Sequence, residues 1–77
     1  RRNRRRGIER KLQETEEGIN ALEEAMGAID SSLDSTDLAL EVVQELASKR
    51  EKVENELEES MEHWEALSME LEEMGGT

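Results

Sequence analysis

The sequence predicts an all-α protein, a two-helix antiparallel coiled-coil hairpin. Apolar residues recur at alternating spacings of four and three in both halves of the chain, which is the heptad pattern of coiled coils. A short polar segment separates the two halves, and reflection through Thr36 places one apolar series on the other. We therefore expect the chain to fold back on itself and to bury the two apolar strips, here called the seam, within one molecule.

The reflection also assigns partners along the seam. It sets Ile8 opposite Trp64 at the open end of the hairpin and Leu33 opposite Ala39 beside the turn. The first strip contains Ile8, Leu12, Thr15, Ile19, Leu22, Met26, Ile29 and Leu33, and the second contains Ala39, Val43, Leu46, Arg50, Val53, Leu57, Ser60 and Trp64.

Two seam residues are unusual. Arg50, expected opposite Leu22, would lay its methylenes across the seam and send its guanidinium to solvent or to a neighbouring glutamate; a role in specifying register is the alternative. Trp64 is the single aromatic residue, and we expect it to be a core residue that closes the bundle, with stacking on a nucleobase as the alternative.

The first half of the chain divides into three elements. Residues 1–6 are strongly basic and are expected to be the end of a linker. A first helix should then cover about 7–33. A turn over 34–37 follows, in which Thr36 or Asp37 would cap the next helix by accepting hydrogen bonds from its free N–H groups.

The second half is predicted to be one helix over about 38–74. Two glycines follow it, so 75–77 should be a flexible tail. At 1.5 Å per residue, the hairpin should be about 40 Å long.

Composition excludes several classes of function. The chain has 77 residues, no cysteine and no proline, so it is too small for a deep catalytic pocket and cannot form a disulfide or a cysteine-ligated zinc site. It contains no glycine-rich phosphate loop and no catalytic triad spacing. Adjacent glutamates diverge on a helix, and the single histidine has no partner of zinc-site type. We therefore expect no enzymatic activity, no cofactor and no metal in this segment.

Charge is distributed very unevenly. The net charge is −11, yet residues 1–11 carry seven basic groups against Glu9, whereas the rest of the chain is strongly acidic. An acidic body repels nucleic acid and anionic membranes, but a basic end attracts phosphate locally. The reflection also puts Arg4 near the acidic end of the second helix, close to Glu70.

The basic cluster is the candidate binding site. Arginine forks match the geometry of phosphate, so the cluster is expected to contact nucleic acid, with a solvated basic linker as the alternative. Its members are Arg1, Arg2, Arg4, Arg5, Arg6, Arg10 and Lys11.

The sequence resembles the C-terminal coiled-coil domain of ABC-F ATPases over nearly its whole length. That domain ends in a pattern close to M-E-x-W-E-x-L-S-x-E-L-E, and residues 61–72 read MEHWEALSMELE. Its first helix follows an Arg/Lys-rich linker with I-E-x-x-L-x-x-x-E-x-x-I-x-x-L-E, which this chain matches from Ile8 to Glu23. The turn differs, because it lacks the Asp-Pro of some family members.

The resemblance implies a parent protein with two tandem ATP-binding cassettes that acts on or near the ribosome or nucleic acid, inside the cell and in the cytoplasm. ATP would bind to that parent and not to this segment. The hairpin would be an accessory domain with ribosomal RNA or DNA as its partner, together with the parent's own ATPase domains. No membrane contact is expected, and the hairpin is expected to be a monomer.

A protein–protein interaction coiled coil without nucleic-acid binding is the alternative. It could be a spacer within its own chain or a homodimer that buries the same seam between two copies. Apolar residues off the seam would then contact the partner, namely Leu38, Leu40, Val42, Met61 and Met69.

Overall fold

The computed structural model describes residues 2–35 and 37–75, with side chains from Arg4 onward; residues 1, 36, 76 and 77 lie outside the described residues. Helix α1 spans Arg2–Leu33 and helix α2 spans Leu40–Gly75. The two helices pack against each other in opposite directions and form a rod of 58 × 15 × 14 Å. The predicted fold class, an all-α helical hairpin, is confirmed.

The helix boundaries differ from the expected ones. Helix α1 begins at Arg2, so residues 2–6 are helical where we expected a linker. Arginine is among the better helix formers, and the end of α2 beside this segment is acidic. The connection covers 34–39 instead of 34–37, and α2 includes Gly75. The rod exceeds the expected length because α1 is longer than expected and because the 36 residues of α2 alone span about 54 Å at 1.5 Å per residue.

The connection is held by backbone hydrogen bonds. The Asp34 N–H donates to the Asp30 carbonyl over 3.1 Å as α1 ends, and the Val43 N–H donates to the Ala39 carbonyl over 3.1 Å as α2 begins. Of the two expected caps, Thr36 lies outside the described residues, and Asp37 precedes the observed start of α2 by more than one residue. The first turn of α2 carries Glu41, whose negative charge complements the positive end of the helix dipole.

The seam of α1 is where the heptad pattern predicts it. All eight expected positions are buried or partly buried, and Ile8 and Ile29 are the most enclosed. On α2 the strip is displaced toward the C-terminus. Ala39 is exposed, Trp64 keeps 38% of its surface exposed, and Leu67 is buried with 5% exposed.

Three contacts between the helices define the register. The Trp64 indole N–H donates to Glu16 Oε1 over 3.0 Å. The Arg50 Nε–H donates to Asp30 Oδ1 over 2.8 Å. The third contact joins Arg5 to Gly75. A guanidinium nitrogen of Arg5 lies 3.8 Å from the point where a Cβ would stand if residue 75 were not glycine. The two residue numbers in each of these pairs average 40. The helices are therefore aligned about residue 40, and not about residue 36 as we expected.

The expected pairing of Trp64 with Ile8 is therefore wrong. Trp64 lies beside Glu16, about 12 Å farther along α1 at 1.5 Å per residue. The expected pairs of Arg50 with Leu22 and of Leu33 with Ala39 are displaced in the same sense. The fold class is unaffected, because both registers bring one apolar strip against the other.

The displacement has a physical reason. A heptad repeat matches itself again after about one heptad, so two registers are compatible with the same apolar pattern. In the expected register Leu67 would extend beyond Ile8 without a partner, whereas in the observed register Leu67 is buried and the small Ala39 is exposed instead. Burying a leucine removes more apolar surface from water than burying an alanine. The longer connection makes this register possible.

Arg50 links the two helices within the seam. Besides Asp30, its guanidinium contacts Glu54 one turn away, with 3.3 Å between Arg50 Nη1 and Glu54 Oε2. The hydrogen bond to Asp30, together with the nearby carboxylate charges, raises the pKa of Arg50 above its ordinary value. The expected reach to a neighbouring glutamate is confirmed, and the bond to Asp30 connects α2 to α1 at one level.

Cross-linking tests the register. Asp30→Cys combined with Arg50→Cys is expected to form an intramolecular disulfide under mild oxidation, because those side chains meet across the seam. The chain has no cysteine of its own, so non-reducing electrophoresis reports this pair alone. Leu22→Cys with Arg50→Cys is the matched control and should stay reduced. Efficient cross-linking of the control pair alone would contradict the observed register.

Stability should depend on the displaced part of the seam. Leu67→Ala removes a buried side chain and is expected to lower the free energy of unfolding by about 2–5 kcal/mol, which is comparable with the whole stability of so small a domain. Leu40→Ala is the matched control, because Leu40 is 72% exposed. It should change stability by less than about 0.5 kcal/mol. Urea denaturation followed by circular dichroism measures both, and equal losses would contradict the assigned core.

Candidate nucleic-acid interface

The basic cluster lies on the first turns of α1, at the open end of the hairpin. Five of its seven expected members have described side chains, and all five are exposed. Arg1 lies outside the described residues, and Arg2 is described only in its backbone. The described members are Arg4, Arg5, Arg6, Arg10 and Lys11.

Two of these arginines are engaged by carboxylates. Arg4 Nη2 lies 3.7 Å from Glu70 Oε1 on α2, so the expected proximity of this pair is confirmed even though the register differs. Arg5 Nε lies 3.9 Å from Glu9 Oε1 one turn along α1. Both ion pairs are exposed, and each is worth roughly 0–1 kcal/mol.

The other three cations have no ion pair with any residue that the structure describes. Arg6 and Arg10 are one helical turn apart and project from α1 on the side away from α2. Lys11 lies on the adjacent flank, in line with Arg4. The cluster therefore surrounds the end of α1 instead of forming one flat patch, and Arg6, Arg10 and Lys11 form its open side.

Helix dipoles increase the contrast between the two chain ends. The first turn of α1 contains no acidic residue and the last turn of α2 contains no basic one. Positive charge thus lies at the positive end of the α1 dipole, and the acidic Glu72 and Glu73 lie at the negative end of the α2 dipole, which is unfavourable for each helix alone. The hairpin brings these two ends together, so that opposite charges offset each other between helices.

Trp64 lies in a different place from the basic cluster. It lines an open lateral groove between the helices, about 620 Å³ in volume, together with Ile19, Met61, Glu16, Asn20 and Glu65. The expectation of a core tryptophan is wrong, because Trp64 keeps 38% of its surface exposed and lines this groove. Its indole N–H is already bonded to Glu16, and the carboxylates there would repel a phosphate backbone. Stacking on a nucleobase does not fit this position.

Sequence reasoning missed the groove. Met61 was recognised as an apolar residue off the seam, but its proximity to Ile19 and Asn20 depends on a register that the heptad pattern leaves open. The spacing of Met61 and Trp64, three residues apart on one helix, is a signal of a shared face, although it does not reveal what lies opposite.

The other apolar positions off the seam differ among themselves. Leu40, Val42, Met61 and Met69 are exposed as expected, whereas Leu38 is partly buried beside the turn. No group of three metal-ligating side chains converges among the described residues. Neither described helix contains a stretch that is long and apolar enough to cross a membrane.

Comparison with known families gives one match. The sequence model of the family described as ABC transporter C-terminal domain matches residues 5–69. The matched range begins within the basic cluster and covers most of both helices. Searches among curated proteins and among solved structures gave no match.

The ion pair between the helices should contribute little to stability. Glu70→Gln removes the charge that faces Arg4 and is expected to change the free energy of unfolding by less than about 1 kcal/mol, because the pair is exposed to solvent. Thermal and urea unfolding at low and high salt measure it. A loss of several kcal/mol would show that the open end depends on this pair more than on the seam.

Proposed function

Because the chain belongs to the ABC transporter C-terminal domain family, we propose that it is a non-catalytic accessory domain of an ABC-F ATPase whose basic end contacts nucleic acid. The family assignment makes the hairpin one part of an ATP-binding cassette protein. The ABC-F subtype rests on the resemblance of residues 61–72 to that subfamily's pattern. ATP is assigned to the cassettes of the parent protein and not to this hairpin.

The observation that carries the proposal is the open side of the basic cluster. Arg6, Arg10 and Lys11 are exposed and have no ion pair with a described carboxylate, so their charges are available to an external phosphate. Arg4 and Arg5 are partly neutralised by Glu70 and Glu9. The contact surface is therefore the outer face of the first turns of α1 together with the flank that carries Lys11, and not all seven residues equally.

The acidic remainder of the rod limits how far a nucleic acid extends along it. Beyond Lys11 the described cations are Lys49, Arg50 and Lys52, among many carboxylates, and phosphate would be repelled there. The proposed contact is thus local, at one end of a stiff rod of 58 Å. In this geometry the basic end would position the hairpin, and with it the parent's ATPase domains, on ribosomal RNA or DNA.

A salt series tests the proposal. For the intact chain on duplex DNA, contacts by Arg6, Arg10 and Lys11 predict a slope of about −2.7 in log K against log salt concentration. Arg6→Gln with Arg10→Gln should reduce the slope to about −0.9, because two phosphate contacts are lost. Fluorescence anisotropy with labelled duplex DNA, and in parallel with an RNA hairpin, measures both constants.

Lys49→Gln with Lys52→Gln is the matched control. It removes the same charge from exposed residues of α2 outside the cluster, and it should leave the slope unchanged. Equal losses in the two double variants would mean that net charge alone governs binding. Absence of binding by the intact chain at about 50 mM salt, where phosphate contacts are strong, would exclude autonomous nucleic-acid contact.

A further inference from the structure

The lateral groove is an apolar surface of the hairpin that is built from both helices. Trp64 and Met61, which keep 38% and 45% of their surfaces exposed, line it together with the half-buried Ile19. Exposed apolar residues scattered singly need no explanation. These three line one concave site, and therefore offer a partner a continuous contact.

The groove extends toward the open end. A second depression on the same side of the rod is lined by Leu12, Leu71 and Ser68, with Arg5 at its end. The lining residues of α1 run from Arg5 to Asn20, which is about 22 Å at 1.5 Å per residue. The combined surface therefore has the length of a helix of roughly four turns.

Carboxylates form the rim of this surface. Glu16 and Glu65 flank the tryptophan, and Glu72 lies beside the second depression, against the single cation Arg5. The rim is thus net negative, and the whole chain carries −11. Electrostatic complementarity favours a partner with positive charge on both sides of its apolar stripe.

We propose that this groove binds an amphipathic helix of another protein, with leucine-like residues on its buried stripe and lysine or arginine on its flanks. In helix-in-groove recognition, an amphipathic helix lays its apolar face in an apolar groove. Here the bound helix would pack against both α1 and α2 and complete a three-helix bundle. The groove matches such a helix in length and in its apolar lining, and its negative charge complements the positive flanks of the helix.

A second copy of the same hairpin does not meet these requirements. Seven of its ten basic residues lie within residues 1–11, where the apolar Ile8 and Leu12 are already buried or half-buried, and the other three, Lys49, Arg50 and Lys52, lie among carboxylates on α2. The outward ridge of Arg6 and Arg10 offers charge without an apolar stripe. Nucleic acid is disfavoured as well, since Glu16 and Glu65 border the tryptophan.

The site is separate from the proposed nucleic-acid contact. Glu16 and Asn20 place the groove on the flank of α1 that also carries Arg5, whereas Arg6, Arg10 and Lys11 occupy the outer face and the opposite flank. Failure of one proposal therefore leaves the other intact.

Trp64 reports directly on occupancy, because it is the only tryptophan in the chain. The probe is a synthetic peptide of leucine and lysine in amphipathic helical order, about 14 residues long to match the groove. Titration into the intact chain is expected to shift the Trp64 emission to shorter wavelength and to saturate. The same peptide with glutamate in place of lysine should give no shift.

Two matched pairs of variants distinguish the groove from general charge attraction. Met61→Gln is expected to weaken peptide binding about fivefold, since it removes an apolar anchor, whereas Met69→Gln, equally on α2 and 59% exposed but outside the groove lining, should leave it unchanged. Glu65→Gln should weaken binding about threefold, and Glu62→Gln much less. Circular dichroism verifies that all four remain helical.

The outcomes decide the proposal. A saturable emission shift with the expected ranking of variants supports it. Peptide binding without a shift of Trp64, or equal effects of Met61→Gln and Met69→Gln, overturns it in favour of attraction to the acidic surface as a whole. No binding of the lysine peptide overturns it outright. The double variant Arg6→Gln with Arg10→Gln should not weaken the peptide, which separates this site from the nucleic-acid contact.

Discussion

The hairpin depends on the apolar seam between its two helices. A two-helix protein buries only one strip of each helix, and among the described residues Ile8, Ile29 and Leu67 are the most deeply buried apolar side chains. The acidic flanks repel one another, and the charges at the ends of α1 and α2 oppose the helix dipoles. Burial of the seam must outweigh these costs, so the helices persist because they are paired.

The seam supplies most of the attraction but leaves its own alignment open. A heptad strip matches its partner again after about one heptad, and discrimination between the registers therefore comes from less regular features. Leu67 is buried in this register, and the six-residue connection is long enough to allow it. Two hydrogen bonds also join the helices at different levels of the rod, one from Arg50 to Asp30 and one from Trp64 to Glu16. Polar pairs on the surface contribute little energy, yet here they distinguish two otherwise similar alignments.

Register also determines where function can lie. It leaves Arg4 within reach of Glu70, which neutralises part of the basic cluster, while Arg6, Arg10 and Lys11 have no ion pair with a described residue. It also brings Met61 and Trp64 against Ile19, which forms the lateral groove. The two surfaces have opposite charge and lie on different flanks of α1. The two proposals together would let one rod engage an anionic and a cationic partner at the same time.

The sequence by itself determined the fold class, the α1 seam and the membership of the basic cluster, because each depends on spacing along one chain. The seven basic residues all lie within residues 1–11, and Ile8 to Leu33 keep one heptad frame. The start of α1 at Arg2 was not predictable, since six mostly basic residues repel one another until the acidic end of α2 lies beside them. Only the tertiary structure decided the partner of Trp64, the division of the cluster and the groove. These depend on how far one helix slides along the other, and a repeating apolar pattern carries no record of that distance.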